Sequence, residues 1–144
     1  MKWFETETRV RFNEVDQWGI AWYGHYTAWF EVGRMDLLRR MNLGPEQMTE
    51  LGYIAPVIHL DCDFKHPARF DDRIVIRTTV EKPEVAALTF RFEVVRKEDY
   101  KLLARGATTQ VLLTIDGVMI YRLSGELEQR ILDLIACCNT VEGG

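Results

Sequence analysis

The sequence predicts an α+β fold in which a curved antiparallel sheet wraps around one long helix. Three observations favour it. Apolar residues recur at helical spacing over residues 25–41, residues 57–121 are rich in β-branched and aromatic side chains, and no helical segment interrupts those predicted strands. Strands that follow one another without crossover helices pair antiparallel, so βαβ units are not expected. The 144 residues fit one domain spanning positions 1–144.

A strand and the long helix come first. Residues 4–12 alternate between apolar or threonine side chains on one face and Glu or Arg on the other, as in a half-buried strand. In the helix predicted over residues 25–41, side chains such as Val32 widen the apolar stripe to several sides. Arg39 and Arg40 complement the negative end of its dipole. Because such a helix must be shielded from water on more than one side, we expect the sheet to curve around it.

The remaining elements are a short helix, a series of strands and a closing helix. Residues 45–51 fit a short helix with proline in its first turn and Gly52 directly after its end. Strands are predicted over residues 57–66, 73–82, 87–97, 102–115 and 118–121, the last two joined by a hairpin turn at Asp116–Gly117. Ser124 is the candidate N-cap of a helix that ends near Cys137. Since a sheet of this kind has open edges, pairing with a second copy of the chain is expected.

The composition argues against several kinds of partner and site. Lys and Arg number 18 against 22 Asp and Glu, a net charge of −4, so nucleic-acid binding through phosphate contacts is not expected. The first residues form no apolar signal region, and no segment reaches the roughly 18 apolar residues of a membrane span, which favours the cytoplasm. Cys62, Cys137 and Cys138 include no CxxC and fit reduced thiols. His59 and His66 fall on opposite faces of one strand, so no metal site is expected.

The segment over residues 12–31, FNEVDQWGIAWYGHYTAWFE, carries more polar and aromatic groups than core packing requires. Asp16 lies in a loop just before the helix starts at Gly24 or His25, among several aromatic side chains. The start of a helix offers unpaired N–H groups to an oxyanion, and a carboxylate beside it can attack a carbonyl or take a proton from water. These parts suit acyl chemistry. The same residues also fit a loop aspartate that caps a turn, with the tryptophans in the core.

One spacing pattern connects this segment to a known family. An aspartate is followed by a glycine three residues on, a tyrosine ten residues on, and an aromatic residue with an acidic neighbour on the helix. The matching residues here are Asp16, Gly19, Tyr26 and Phe30–Glu31. With this pattern the sequence resembles the hotdog-fold acyl-CoA thioesterases, especially the 4-hydroxybenzoyl-CoA thioesterase family. The similarity continues through residues 67–72 and 104–111, and so covers nearly the whole chain.

The resemblance implies a hotdog-fold enzyme that hydrolyses an acyl-CoA thioester to the free acid and coenzyme A. Asp16 is then the nucleophile or general base, and the carbonyl oxygen rests on N–H groups near Tyr23 and Gly24. The hydroxybenzoyl branch has tyrosine at the position of Tyr23, whereas two other branches have histidine or asparagine there. His25 and Glu31 are interpreted as hydrogen-bonding residues of the helix rather than as catalysts.

Further site residues are expected around this centre. Trp18 and Trp22 would form part of an acyl or aryl pocket, and Lys65 and Arg69 would meet the phosphates of coenzyme A. The full set of candidate substrate-binding residues is Trp18, Gly19, Trp22, Gly24, His25, Tyr26, Lys65 and Arg69. No metal and no cofactor are expected beyond the coenzyme A of the substrate, and the enzyme is expected to be a homodimer or homotetramer.

Two other functions stay open at this point. An acyl-carrier-protein thioesterase of the same fold would prefer acyl groups bound to a carrier protein. A non-catalytic acyl-CoA-binding domain would bind its ligand without releasing thiol, since a fold does not by itself prescribe catalysis. A hydratase is less favoured, because the Asp/His helix motif of hotdog hydratases is not evident.

Overall fold

One antiparallel sheet and one long helix make up most of the chain. The computed structural model describes residues 2–81, 83 and 85–139. In chain order its elements are β1 (Phe4–Arg9), a 3₁₀ turn (Phe12–Glu14), α1 (His25–Arg40), α2 (Pro45–Leu51), β2 (Tyr53–Ile54), β3 (Val57–Phe64), β4 (Arg73–Val80), β5 (Ala87–Arg96), β6 (Leu102–Val111), β7 (Leu113–Thr114) and α3 (Gly125–Asn139). Five strands form the sheet in the order β1-β4-β5-β6-β3, and α1 packs against β1, β4 and β5. The predicted α+β fold is confirmed.

Helix α1 buries one side against the sheet. Phe30 is 1% exposed and Leu37 is fully buried, as the predicted apolar stripe requires. Gly33 brings the helix close to β4, because a Cβ at this position would lie 2.6 Å from Cγ2 of Ile76. Val32, in contrast, is 44% exposed. The expectation that Val32 widens the buried stripe is wrong, because no element of the described chain covers that side of α1.

Strands β4, β5 and β6 form the predicted meander, but β3 does not join it next to β4. β3 pairs with β6, with Leu60 opposite Thr108, and lies at the edge of the sheet. β4 pairs with β1 on one side and with β5 on the other, so neither of its edges is free for β3. Residues 65–72 therefore connect two strands that β5 and β6 separate, which corrects the prediction of a continuous meander.

The chain after β5 also differs from the prediction. β6 ends at Val111, and the fully buried Leu112 separates it from β7, which pairs with β2 instead of extending the sheet. Asp116–Gly117 forms the predicted turn. Residues 118–121 then make one isolated bridge, from Met119 to Leu113, rather than a strand.

The ends of some strands and helices also differ from the predicted ones. Phe12 is 78% exposed, since β1 ends at Arg9 and the chain then forms the 3₁₀ turn. Lys82, the predicted end of β4, lies outside the described residues. Helix α3 begins at Gly125, directly after the predicted cap Ser124.

Three further features of the described chain are its cysteines, its possible metal ligands and the apolar character of its helices. The three cysteines are unpaired thiols, and Cys138 is buried. Within the described ranges, no group of three or more His, Cys, Asp or Glu side chains could hold a metal ion. No helix in the same ranges has the length and apolar character needed to cross a membrane.

Candidate active site

A cleft of about 330 Å³ lies between the start of α1 and the segment that follows β3. Its walls come from the loop before α1, the first turn of α1 and residues 64–67. The lining residues are Asp16, Ile20, Ala21, Trp22, Tyr23, Tyr26, Phe64, Lys65, His66 and Pro67. The structure thus brings together five of the residues singled out in the sequence: Asp16, Trp22, Tyr23, Tyr26 and Lys65.

The loop that carries Asp16 is organised around this carboxylate. Its Oδ1 accepts hydrogen bonds from the backbone N–H groups of Trp18 at 2.8 Å and Ile20 at 3.3 Å. Gly19 occupies the left-handed region with φ of 73°, which a side chain would strain, and its N–H donates to the Asp16 carbonyl at 3.0 Å. In the described part of the chain, Oδ2 has no hydrogen-bond partner. Asp16 therefore caps its turn with one oxygen while the other is free for a ligand.

The first turn of α1 supplies backbone donors beside this carboxylate. The N–H groups of His25 and Tyr26 donate to the carbonyls of Trp22 and Tyr23, at 3.0 and 3.3 Å. The N–H groups of Tyr23 and Gly24 have no acceptor among the described residues. Because the start of a helix also has a partial positive charge, these two donors suit an oxygen that develops negative charge.

Tyr26 forms the floor of the cleft. It is 3% exposed, its ring contacts the ring of Phe64 edge-on at 5.0 Å between centroids, and its hydroxyl accepts a hydrogen bond from the Ala68 N–H at 3.2 Å. Burial raises the pKa of the Tyr26 hydroxyl, so the group stays neutral near pH 7. The residue joins α1 to the connection between β3 and β4.

Glu14 supports the site from behind and is not among the candidate residues predicted from the sequence. Its carboxylate is 2% exposed and accepts hydrogen bonds from the Arg11 N–H at 2.8 Å and from Trp29 Nε1 at 3.0 Å. Burial opposes ionisation of Glu14, but the hydrogen bonds from Arg11 and Trp29 outweigh it and hold its pKa below the usual value. The alternation of β1 does not predict its burial, because Phe12 has the same parity as Glu14 and is 78% exposed.

The remaining candidate residues lie outside the cleft lining. Trp18 is 71% exposed at the tip of the Asp16 loop, because its N–H, not its ring, turns toward the carboxylate. Trp18 therefore does not line the cleft of the single chain, and its place in an acyl or aryl pocket stays a prediction. The backbone of Arg69 forms an isolated antiparallel β-bridge with Ile20, and the Arg69 side chain is exposed. Gly19, Gly24 and His25 shape the loop and the helix start without lining the cleft.

Five lining residues are not among the candidate site residues, and three of them form the wall opposite the Asp16 loop. Phe64, His66 and Pro67 follow from the course of the chain after β3, which crosses to the Asp16 loop. The Ala21 N–H donates to the Ala68 carbonyl at 2.8 Å and holds the two segments together. The alternation of side chains in a strand predicts which residues share a face, but it does not predict the course of the connection that follows the strand.

Comparisons with known proteins show the family of this chain. The model of the thioesterase superfamily matches residues 19–103. The acyl-CoA thioesterase YbgC of Haemophilus influenzae is 27% identical over 117 residues, which cover 81% of this chain and 84% of that protein. The DHNA-CoA thioesterase of Staphylococcus aureus is 25% identical, with a TM-score of 0.81 over 98% of each chain.

A second solved structure supports the fold alone. It is Slr0204, a 1,4-dihydroxy-2-naphthoyl-CoA thioesterase from Synechocystis, with 20% identity and a TM-score of 0.83 over 96% of this chain and 99% of that chain. The resemblance read from the Asp16 pattern is confirmed at the level of the family, and the fold is the hotdog fold of these enzymes. The chain belongs to the thioesterase superfamily and is a thioester hydrolase.

Proposed function

We propose that the protein hydrolyses an acyl-CoA thioester to the free acid and coenzyme A, in a single catalytic domain, at the cleft beside Asp16. One observation carries the placement of the reaction. A carboxylate oxygen without a partner among the described residues, Asp16 Oδ2, lines the same cleft as Tyr23, whose N–H is also free. Membership of the thioesterase superfamily and the similarity to YbgC, an acyl-CoA thioesterase, support the substrate class.

In the proposed reaction, the N–H groups of Tyr23 and Gly24 hold the thioester carbonyl oxygen as it gains negative charge. Asp16 either attacks the carbonyl carbon to form an anhydride, which water then hydrolyses, or takes a proton from the attacking water. In both versions the carbon–sulfur bond breaks, coenzyme A leaves as the thiol and water supplies the new oxygen of the acid. The steps use only the substrate, water and these residues, so we propose that no metal or cofactor takes part.

The cations near the cleft suit the phosphates of coenzyme A. Lys65 lines the cleft and has an exposed side chain. Arg69 lies next to the Asp16 loop, because its backbone bridges to Ile20. We therefore place the nucleotide end of coenzyme A at the mouth of the cleft, between these two side chains.

Strand β3 supports assembly with a second copy of the chain. It is an edge strand, and its apolar side chains Ile58 and Leu60 are 63% and 45% exposed. An exposed apolar edge strand is a template for pairing with another strand, and a twofold pair of β3 strands would join two sheets into one. We propose an antiparallel β3–β3 dimer. A dimer of dimers and a cytoplasmic location remain predictions from the sequence.

Thiol release from a panel of acyl-CoA thioesters tests the proposed function. The panel runs from short aliphatic through aromatic to long-chain acyl groups, and a thiol reagent reports the coenzyme A that is set free. We expect turnover of at least one acyl class well above the uncatalysed rate. Stoichiometric binding without thiol release would indicate a binding domain instead, and faster turnover of carrier-protein thioesters would indicate an acyl-carrier-protein thioesterase.

A further inference from the structure

Three exposed aromatic side chains lie together at the end of the molecule that carries the Asp16 loop. Phe12 is 78% exposed, Trp18 is 71% exposed and Phe70 is 50% exposed. The rings of Phe12 and Phe70 contact each other edge-on, with 5.7 Å between their centroids. The backbone of Trp18 lies close to Phe70, because the Phe70 N–H donates to the carbonyl of Gly19, the next residue. We call Phe12, Trp18 and Phe70 the aromatic rim.

Neither the fold nor the proposed reaction accounts for the aromatic rim. Among the described residues, the buried core and the lining of the Asp16 cleft include none of its three side chains. Because each is at least half exposed, together they present apolar surface on the order of 400 Å² to solvent. A contiguous apolar patch of this size often marks an interaction site.

Two rings of the rim are preceded in the sequence by arginines. Arg11 precedes Phe12, and Arg69 precedes Phe70. The Arg11 side chain is 72% exposed and pairs with Glu14 through Nε at 3.3 Å, which leaves its two Nη groups without a partner in the described ranges. The Arg69 side chain is also exposed, and the described chain supplies no partner for it. Both guanidinium groups are therefore available to an anion beside the rings.

The carboxylates closest to the rim in the sequence are already engaged. Asp71 pairs with Arg9 at 3.0 Å, and Oδ2 of Asp72 accepts a hydrogen bond from the Arg69 N–H at 2.9 Å. Glu14 is buried. An anionic group that approaches the rim thus meets free guanidinium groups and carboxylates that already have partners.

Aromatic rings flanked by arginines suit the surface of a lipid bilayer. The rings enter the region between headgroups and acyl chains, and guanidinium groups bind lipid phosphates. A second copy of the chain suits the rim less, because a stable protein interface buries roughly 800 Å² on each partner, about twice what the rim offers. The rim also borders β1 and β4, the strands farthest from β3 in the sheet, so pairing through β3 does not cover it.

We propose that the aromatic rim and its two arginines dock the protein on a bilayer that contains anionic phospholipid. The three rings enter the headgroup region, and Arg11 and Arg69 contact lipid phosphates. Because Trp18 belongs to the Asp16 loop, docking holds the mouth of the cleft at the bilayer surface. This inference goes beyond the proposed function, since it concerns a surface whose binding requires no turnover.

Sedimentation with lipid vesicles tests the inference. One set of vesicles is an equal mixture of phosphatidylcholine and phosphatidylglycerol, the other is phosphatidylcholine alone, and the readout is the lipid concentration at half-maximal binding. We expect wild-type protein to bind the mixed vesicles and Phe12→Ser with Phe70→Ser to weaken that binding at least about tenfold. Arg11→Gln should weaken binding to the mixed vesicles about fivefold and change binding to phosphatidylcholine little.

Matched controls replace the same residue types away from the rim. Tyr121→Ser changes an aromatic side chain that is 79% exposed in the segment after β7, and Arg122→Gln changes an exposed arginine beside it. Both should bind the mixed vesicles as wild-type protein does. All variants keep Arg69, because it is also proposed to meet coenzyme A. Circular dichroism checks that each variant is folded, and thiol release from a soluble acyl-CoA should be unchanged in the double phenylalanine variant.

The outcomes separate this inference from the proposed function. Wild-type protein that stays in solution with the mixed vesicles overturns the inference and depends on no variant, and so does unchanged binding by the folded double variant. Displacement from the vesicles by free coenzyme A would place the binding in the cleft and overturn it. A lower mass of the double variant in light scattering would assign the rim to a second copy and also overturn it. If no acyl-CoA is turned over, the proposed function fails, while vesicle binding still decides about the rim.

Discussion

Glu14 is a buried carboxylate that no step of the proposed reaction uses. Its side chain accepts hydrogen bonds from Arg11 and Trp29, and its backbone carbonyl accepts one from the N–H of Trp22, a wall of the cleft. These bonds connect the loop that carries Asp16 to the second turn of α1. We infer that Glu14 positions the loop and contributes to the stability of the fold.

Glu14→Gln should destabilise the protein and weaken its response to acid. Because the folded-state pKa of Glu14 is lowered, the stability from its ionised form is present above the usual value of 4.5 and is lost as the pH falls through the lower folded value. We expect the variant to lose about 2 kcal/mol of unfolding free energy at pH 7 and to show a flatter decline below pH 4.5. Urea unfolding between pH 3 and pH 7 measures both effects.

The matched control is Glu50→Gln, an exposed glutamate on α2. It should leave the unfolding free energy and its pH dependence close to those of wild-type protein. Equal stability of Glu14→Gln and Glu50→Gln at every pH would contradict a stabilising role for the buried carboxylate.

At this scale the sequence predicts some positions well and others poorly. Asp16 and Tyr23 could be singled out because their spacing follows a family pattern, and both line the cleft. The burial of Glu14 depends on donors such as Trp29, fifteen residues away, which no local pattern contains. The exposure of Trp18 likewise depends on the turn that Asp16 caps. Its residue type alone, an aromatic side chain close to Asp16, predicts a pocket residue instead.

Among the elements, those with a strong periodic pattern are the most predictable. The apolar spacing predicts the long helix over residues 25–41, and the helix spans His25–Arg40. The short helix has the predicted bounds Pro45–Leu51. The pairing of β3 could not be predicted in this way. Alternation of side chains determines which face of a strand is buried, whereas its neighbour depends on which strand edges are already taken, and β1 and β5 occupy both edges of β4.

A test of the β3 edge is the double variant Ile58→Lys with Leu60→Lys. Both side chains are exposed on the edge strand, so a twofold β3 pair would bring the new charges close to those of the partner. We expect wild-type protein to have about twice the 16.8-kDa chain mass, or a multiple of it, and the variant to fall to the single-chain mass. Light scattering during size-exclusion chromatography measures the mass.

The control for this test is Val118→Lys, an exposed apolar position away from β3. It should keep the mass of wild-type protein. A wild-type mass of 16.8 kDa at micromolar concentration, or a double variant of unchanged mass, would contradict pairing through β3.

For the whole molecule, the fold brings distant parts of the chain together at one end of α1. The Phe70 N–H donates to the Gly19 carbonyl at 3.2 Å, and the Val10 N–H donates to the Asp72 carbonyl at 2.9 Å. The connection between β3 and β4 is thereby held against the Asp16 loop, and the cleft lies between them. The sequence predicts the loop and the helix start, but the opposite wall depends on this crossing of the chain.

The central claim is that Asp16 performs the hydrolysis, and turnover of the best acyl-CoA substrate by Asp16→Asn tests it most directly. The substitution retains an oxygen that can cap the loop but removes the nucleophile or base, so the fold and substrate binding should persist. We expect kcat for thiol release to fall at least about 100-fold, with unfolding free energy close to that of Asp133→Asn, an exposed control on α3. Wild-type turnover by folded Asp16→Asn would contradict the account.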